Sequence, residues 1–301
     1  MEETTKSKKP LLVGIILLLV FAGLYTFVLF AYQSEGEARK AELSYDADKL
    51  EKLDKNRIAA DAKIVTADPM KGDIAVRLTF TPQGSLATAD GKLARDLVLD
   101  VSAATGKHVI EYKKGRKMDP VEVIVDMYDG EPMDFPFDKH AGELAFFFEP
   151  AGAAQAAEAP AEQIPVALEL RGSVSGLRID ASYAEENKDN NVAVDISISR
   201  ARTTMFFSLF IMAAMWALAI GVVCLVFRVF AGHRKIEISM FSFLGALLFA
   251  FPALRNSQPG TPPIGTLSDF LAFFWAEVII AMSLLSVVLR WLVRGPGGEG
   301  K

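Results

Sequence analysis

One carboxylate, Glu277, stands inside the apolar run 270–292, roughly ten residues in from its polar edge at Ser268. At ~1.5 Å of rise per residue a helix carries it about 15 Å deep, near the middle of a ~30 Å bilayer core. An ionised carboxyl there costs at least ~2.5–3.5 kcal/mol, so such groups are protonated, paired or turned to water. One reading is a proton- or ion-responsive site, or a bond to a partner subunit. The other is a protonated carboxyl hydrogen-bonded to Ser242, Ser239 or a neighbouring backbone carbonyl. Arg228 and Arg290 lie near the far ends of their runs, where long side chains reach the interface.

The stretch before this run is the stiffest in the chain. Pro259, Pro262 and Pro263 fix φ, and Gly260 and Gly265 supply turns. A loop so constrained suits docking better than tethering. Arg255, followed by Asn256, and Asp269 flank it and are placed to pair across it; Asp269 also suits a helix N-terminus. A second candidate is Phe135-Pro136-Phe137-Asp138, followed by Lys139 and His140. Its aromatics read as a plug for one end of a β domain or for the membrane surface, and His140 as a surface residue. His108, His140 and His233 show no metal-ligand spacing, and no cofactor is expected. The chain has no G-x-S-x-G, H-E-x-x-H or Gly-rich phosphate loop. No enzyme activity is expected.

These residues need membrane helices to hold them. Four apolar runs, 11–32, 205–230, 238–253 and 270–292, approach the ~20 residues that a span requires. Lys6, Lys8 and Lys9 precede the first run. Arg228, His233, Arg234 and Lys235 join the second to the third, and Arg290, Arg294 and Lys301 follow the fourth. Only Arg255 lies between the third and fourth. The positive-inside rule then puts both termini in the cytoplasm and the long segment 33–203 outside a plasma membrane. The first run is too long for a cleaved signal peptide and reads as a signal anchor. The expected layout is a cytoplasmic tail over 1–10, a span over 11–32, a polar stalk over 33–59 and a β domain over 60–203. Spans follow over 204–230, 237–254 and 268–293, with a cytoplasmic loop over 231–236, an outer loop over 255–267 and a tail over 294–301.

Period-two alternation fills the exported segment. Ile74, Val76, Leu78 and Phe80 follow a turn at Asp68 to Gly72. Similar sets run from Leu97, Val121, Leu144, Val166, Leu177 and Val192. An antiparallel β-sandwich is predicted, giving a membrane α+β protein. The stretch 34–56 reads as a solvated helix or stalk and 151–161 as a surface loop. The last strand runs through Ser199 to Arg202 straight into the second span. Small residues at spacing four (Ala213, Ala217 and Gly221; Ser242, Ala246 and Ala250; Ala272 and Ala276) are expected to pack the last three helices together within one chain, the alternative being contact between copies of the chain. The lone cysteine, Cys224, precludes an intrachain disulfide. A net charge of −5 and a pI near 5.4 argue against nucleic acid as a partner.

Pro136-Phe137-Asp138, Leu254-Arg255-Asn256, Pro259-Gly260, Pro262-Pro263, Gly265 and Phe274-Trp275-Ala276-Glu277 together resemble a bacterial, mainly actinobacterial, membrane-protein family. That family is known as a domain of unknown function, and the likeness implies the same four-span plan without an activity. Phe135 to Asp138 and the loop 258–265 also resemble paired elements of pentameric ligand-gated ion channels. This chain departs from them in its extra N-terminal span, its missing fourth channel helix and a loop without cysteines. The leading expectation is a non-enzymatic envelope protein, a sensor or accessory subunit, its partners being the lipid bilayer and either another membrane protein or further copies of itself. The alternative is an oligomeric ligand-gated channel or transport component using Glu277, and third comes a membrane-anchored hydrolase.

Overall fold

A computed structural model describes residues 9–38, 41–44, 54–103, 106–152, 164–185 and 191–294. The expected surface loop over 151–161 lies mostly outside them, as does part of the expected stalk. Helix α1 spans Lys9–Ala38. Ten strands follow: β1 (Ala41–Leu43), β2 (Ile58–Asp68), β3 (Asp73–Pro82), β4 (Leu97–Ala103), β5 (Gly106–Tyr112), β6 (Val121–Asp129), β7 (Lys139–Pro150), β8 (Val166–Gly172), β9 (Leu177–Tyr183) and β10 (Asn191–Arg200).

The alternating sets point inward as the period-two rule requires. Ile74, Val76, Leu78 and Phe80 are buried, as are Leu97, Leu99 and Val101, and Val192, Val194, Ile196 and Ile198. Phe80 is the hub of an aromatic cluster, with ring centroids 4.9 Å from Phe148, 5.9 Å from Phe146 and 6.1 Å from Tyr112. The strands belong to one sheet, with main path β1-β8-β2-β3-β6-β7-β10-β9; β4 pairs with β7 and β5 with β4. Its two end strands, β1 and β9, approach each other, so the sheet curls nearly closed, like a barrel. Pairing is antiparallel except between β2 and β8, which run parallel. The sheet turns its corner at a short, irregular β6–β7 pairing opposite Gly142. A Cβ there would meet the Asp126 carbonyl oxygen at 2.9 Å, so only glycine lets the two backbones approach.

Three helices complete the chain: α2 (Arg202–Phe230), α3 (Ile238–Asn256) and α4 (Phe274–Arg294), the last preceded by a π-helical turn over Asp269–Phe273. Each is long and apolar enough to cross a membrane, and only 28% of each apolar window is buried inside the protein. Apolar side chains therefore cover the outside of the bundle, which suits lipid and not water as solvent. Met215, Ala219, Leu244, Phe251, Ala276 and Ile280 form its core.

Three readings of the sequence need correction. Ala41–Leu43, within the expected stalk, is strand β1, which extends the sheet by pairing with β8. The small-residue stripes of α2 and α3 do not pack the bundle: Ala213, Ala217, Gly221, Ser242 and Ala246 are exposed, and nothing lies within 4 Å of a Cβ built on Gly221. The larger Met212, Met215 and Leu244 fill the interior instead, with Ala219, Ala272 and Ala276 as buried small residues there. Finally, the strands expected to be antiparallel throughout include one parallel pair, β2 with β8, in a large, nearly closed sheet.

Candidate functional site

The β domain sits directly on the helices. Only Ala201 separates β10 from α2; it is fully buried and its N–H donates to the Gly176 carbonyl at 3.0 Å. Thr204 in the first turn of α2 donates its hydroxyl to the same carbonyl at 3.0 Å. A junction tied on both sides of one residue leaves no hinge.

Beside this junction lies the loop between β6 and β7. A 3-10 turn over Pro132–Asp134 and a cis Phe135–Pro136 bond reverse the chain, and the Phe137 N–H closes onto the Asp134 carbonyl at 2.8 Å. Phe135 is fully buried, while Phe137 points outward. Asp138, only 2% exposed, receives three donors. Arg200, the last residue of β10, approaches both of its oxygens with Nε at 2.9 Å and Oδ2 with Nη2 at 2.8 Å. His140 Nε2 lies 2.9 Å from Oδ2 and donates to it, because a carboxylate only accepts. The Arg200 guanidinium also lies 5.0 Å from the centre of the Phe135 ring, a cation–π contact. His140 is therefore a buried member of an ion-pair cluster and not the surface residue expected. Gly130 makes room for it: a Cβ there would fall 2.5 Å from His140 Nδ1.

The stiff outer loop meets this cluster from below. Arg255 and Asp269, both buried, form the expected pair in bidentate form, with Nε to Oδ1 and Nη2 to Oδ2 both 2.8 Å. Arg255 also donates to the carbonyls of Pro262, at 2.6 Å, and Pro263, and weakly to Asn256. Proline carbonyls have no helical or sheet partner in this loop, so one guanidinium satisfies what the prolines leave open. The Gly265 N–H donates to Asp269 at 2.7 Å. Thr266, Ser268 and Gln258 continue the network through hydroxyl contacts of 3.0 and 3.2 Å. The Ser268 N–H donates to the Phe135 carbonyl at 3.2 Å, the direct bond between outer loop and β domain. Pro259, Gly260 and Pro262 face Phe135, Arg200 and Met70 across a cleft of about 160 Å³.

Below the loop, the π turn frees backbone carbonyls from the regular ladder. The Trp216 indole of α2 donates to one of them, that of Leu271, at 2.9 Å. Glu277 follows one turn into α4. Its Oε2 is buried and, among the described residues, has no hydrogen-bond partner; Ser239 bonds Glu237 instead. At the opposite end of the bundle, Arg290 caps the Phe230 carbonyl at 3.2 Å. Among the described residues no group of His, Cys, Asp and Glu is placed to hold a metal ion.

The structure thus brings together Phe135, Asp138, Arg255, Pro259, Gly260, Pro262 and Asp269, and leaves Glu277 apart. Sequence reasoning missed Arg200, Ser268 and His140. A signal existed for Arg200: a cation just before a long apolar run calls for a local partner.

A nearly closed β domain mounted without a hinge on apolar helices, with a charged seam between the two, defines a two-part protein. Residues 49–198 match a domain of unknown function (DUF4436), and residues 200–294 match a second domain of unknown function (DUF8686). Together the two domains of unknown function cover most of the chain. The border falls at Ser199, so the Arg200–Asp138 pair and the Ser268–Phe135 bond join one domain to the other. A comparison with curated proteins finds no match.

Proposed function

We propose that this is a non-enzymatic, multi-pass protein of the bacterial cell membrane. Four spans place both termini in the cytoplasm and an exported β-sandwich-like domain outside. It serves as a sensor or as an accessory subunit of a larger membrane complex, passing the state of the β domain to the helices. The observation that carries this reading is the seam: Asp138 and Phe135 from one domain bond Arg200 and Ser268 of the other, beside the Arg255-braced loop. Buried ion pairs hold a geometry more strictly than they stabilise it, which suits a transmitting contact. The reading as a channel or transport component lacks such support, because Glu277 stands without a polar partner among the described residues.

Two measurements test the proposal. A cysteine at Val109 should react with a membrane-impermeant maleimide in intact cells, and one at Lys235 only after permeabilisation; the reverse pattern overturns the topology. Mass and composition in mild detergent separate the roles. A single copy with a constant partner supports an accessory subunit, and a symmetric ring with α3 at its axis supports a channel.

A further inference from the structure

Arg200, Asp138, Arg255 and Asp269 turn inward, and large apolar side chains stand outside them. Phe137 is 45% exposed and Met133 48% exposed, each two residues from Phe135, whose carbonyl is bonded to Ser268. Ile264, in the outer loop, is 72% exposed, and Met70 lines the cleft under the same loop. Their height is therefore that of the π-helical turn that precedes α4. There Phe270, 58% exposed, begins the outward apolar surface of the helices. The apolar belt of the bundle does not stop where the helices end; it continues onto the base of the β domain. Elsewhere on the outside of the β domain the exposed large apolar side chains, among the described residues, are Val65, Ile124, Tyr128 and Val109. Among the described residues only Val109 lies in the half away from the helices. Scattered exposed apolar residues need no explanation, but a set gathered at one level and continuous with lipid-facing helices does.

We propose that the base of the β domain is itself a lipid-contacting surface. Phe137, Met133 and Ile264 sit in the boundary between headgroups and acyl chains of the outer leaflet, about 5–10 Å deep. Exposed Glu131 and Asp134 in the same turn are matched by exposed Lys139 and Arg202 beside it, so the surface carries charge of both signs and fits a zwitterionic phospholipid. The proposal rests on α2, α3 and α4 spanning the membrane.

Spin labelling of the full chain in phosphatidylcholine vesicles tests it. Cys224 is replaced by serine, and single cysteines are introduced by Phe137→Cys, Met133→Cys and Ile264→Cys. Val109→Cys marks the water-exposed end: it pairs with Asp100, which pairs with Phe147, eight residues along β7 from Lys139. Phe249→Cys marks lipid on the outer face of α3, where Phe249 is 82% exposed. Three base positions guard against one variant failing to fold. The expected result is a ratio of oxygen to nickel-chelate accessibility several-fold higher at the base than at Val109, and lower than at Phe249. Base labels as nickel-accessible as Val109, with Phe249 favouring oxygen, overturn the lipid contact alone. Base labels shielded from both reagents show a protein cover and also overturn it. A Phe249 label that favours nickel sinks the spanning helices and the proposal together.

Discussion

Arg200 and Asp138 lie 62 residues apart, yet they close a buried ion pair through two nitrogens, at 2.8 and 2.9 Å, across the border of the two domains. Removing one partner of such a pair strands the other charge, which costs about 3–5 kcal/mol. Asp138→Ala leaves Arg200 and His140 without their acceptor and should lower the thermal midpoint of the detergent-solubilised protein sharply. Arg200→Lys should recover only part of the loss, since an ammonium cannot reproduce the planar fork. Equal midpoints for wild type and Asp138→Ala would remove the pair from the account of the seam.

Arg255 braces a loop whose prolines offer carbonyls but no N–H groups. Arg255→Gln removes the fork to Asp269 and both proline contacts. A loss of about 3 kcal/mol of local stability speeds amide exchange roughly a hundredfold, since each 1.4 kcal/mol is tenfold. Faster exchange at Gly260, Thr261 and Gly265, with the β2–β3 hairpin unchanged, is the expected pattern. Unchanged exchange in the loop would mean that the prolines alone hold its shape.

Much of this arrangement was legible in the sequence, and the reasons are local. Ile74 to Phe80 and Val192 to Ile198 alternate because one face of each strand is buried, so the pattern carries the fold. Arg255 and Asp269 flank a loop of fixed shape, and their pairing follows from that. Strand β1 left no trace, because three residues borrow their structure from β8. Strand β5 is a largely exposed edge, so Gly106–Tyr112 shows little alternation. Arg200 and Asp138 meet because β10 pairs with β7, with Ser199 opposite Lys139, a register that no spacing encodes. The exposed stripes of α2 and α3 were misread because small residues suit contact with any helix, inside the chain or outside it.

Glu277 offers a test of opposite sign. A buried polar atom without a partner costs about 1–3 kcal/mol. Glu277→Leu should therefore raise the midpoint of thermal unfolding, while Glu277→Gln, which keeps a buried polar group, should not. Destabilisation by Glu277→Leu would reveal that the carboxyl is satisfied in the membrane by a group outside this chain.

Tyr112 gives the β domain a pH signature. Burial, and secondarily the charge of Asp119, push its phenol up to about 12; the hydroxyl donates to the Asp119 carbonyl at 3.0 Å. A raised phenol favours the folded state while it is protonated. Its contribution is complete below the unfolded value of about 10 and is lost as pH rises through about 12. Tyr112→Phe should thus shrink the fall in stability between pH 10 and 12 relative to wild type, measured by denaturant unfolding at each pH. Parallel curves for the two proteins would assign the alkaline fall to other groups.

The single residue between β10 and α2 makes the two elements one lever. At ~3.3 Å per residue β10 is about 33 Å long, so a tilt of about 10° at the membrane sweeps its far end through about 6 Å. Run backwards, the same arm divides: a displacement of the outermost strands reaches the bilayer as a motion several times smaller and correspondingly more forceful. The height of the β domain above the membrane is then its mechanical advantage.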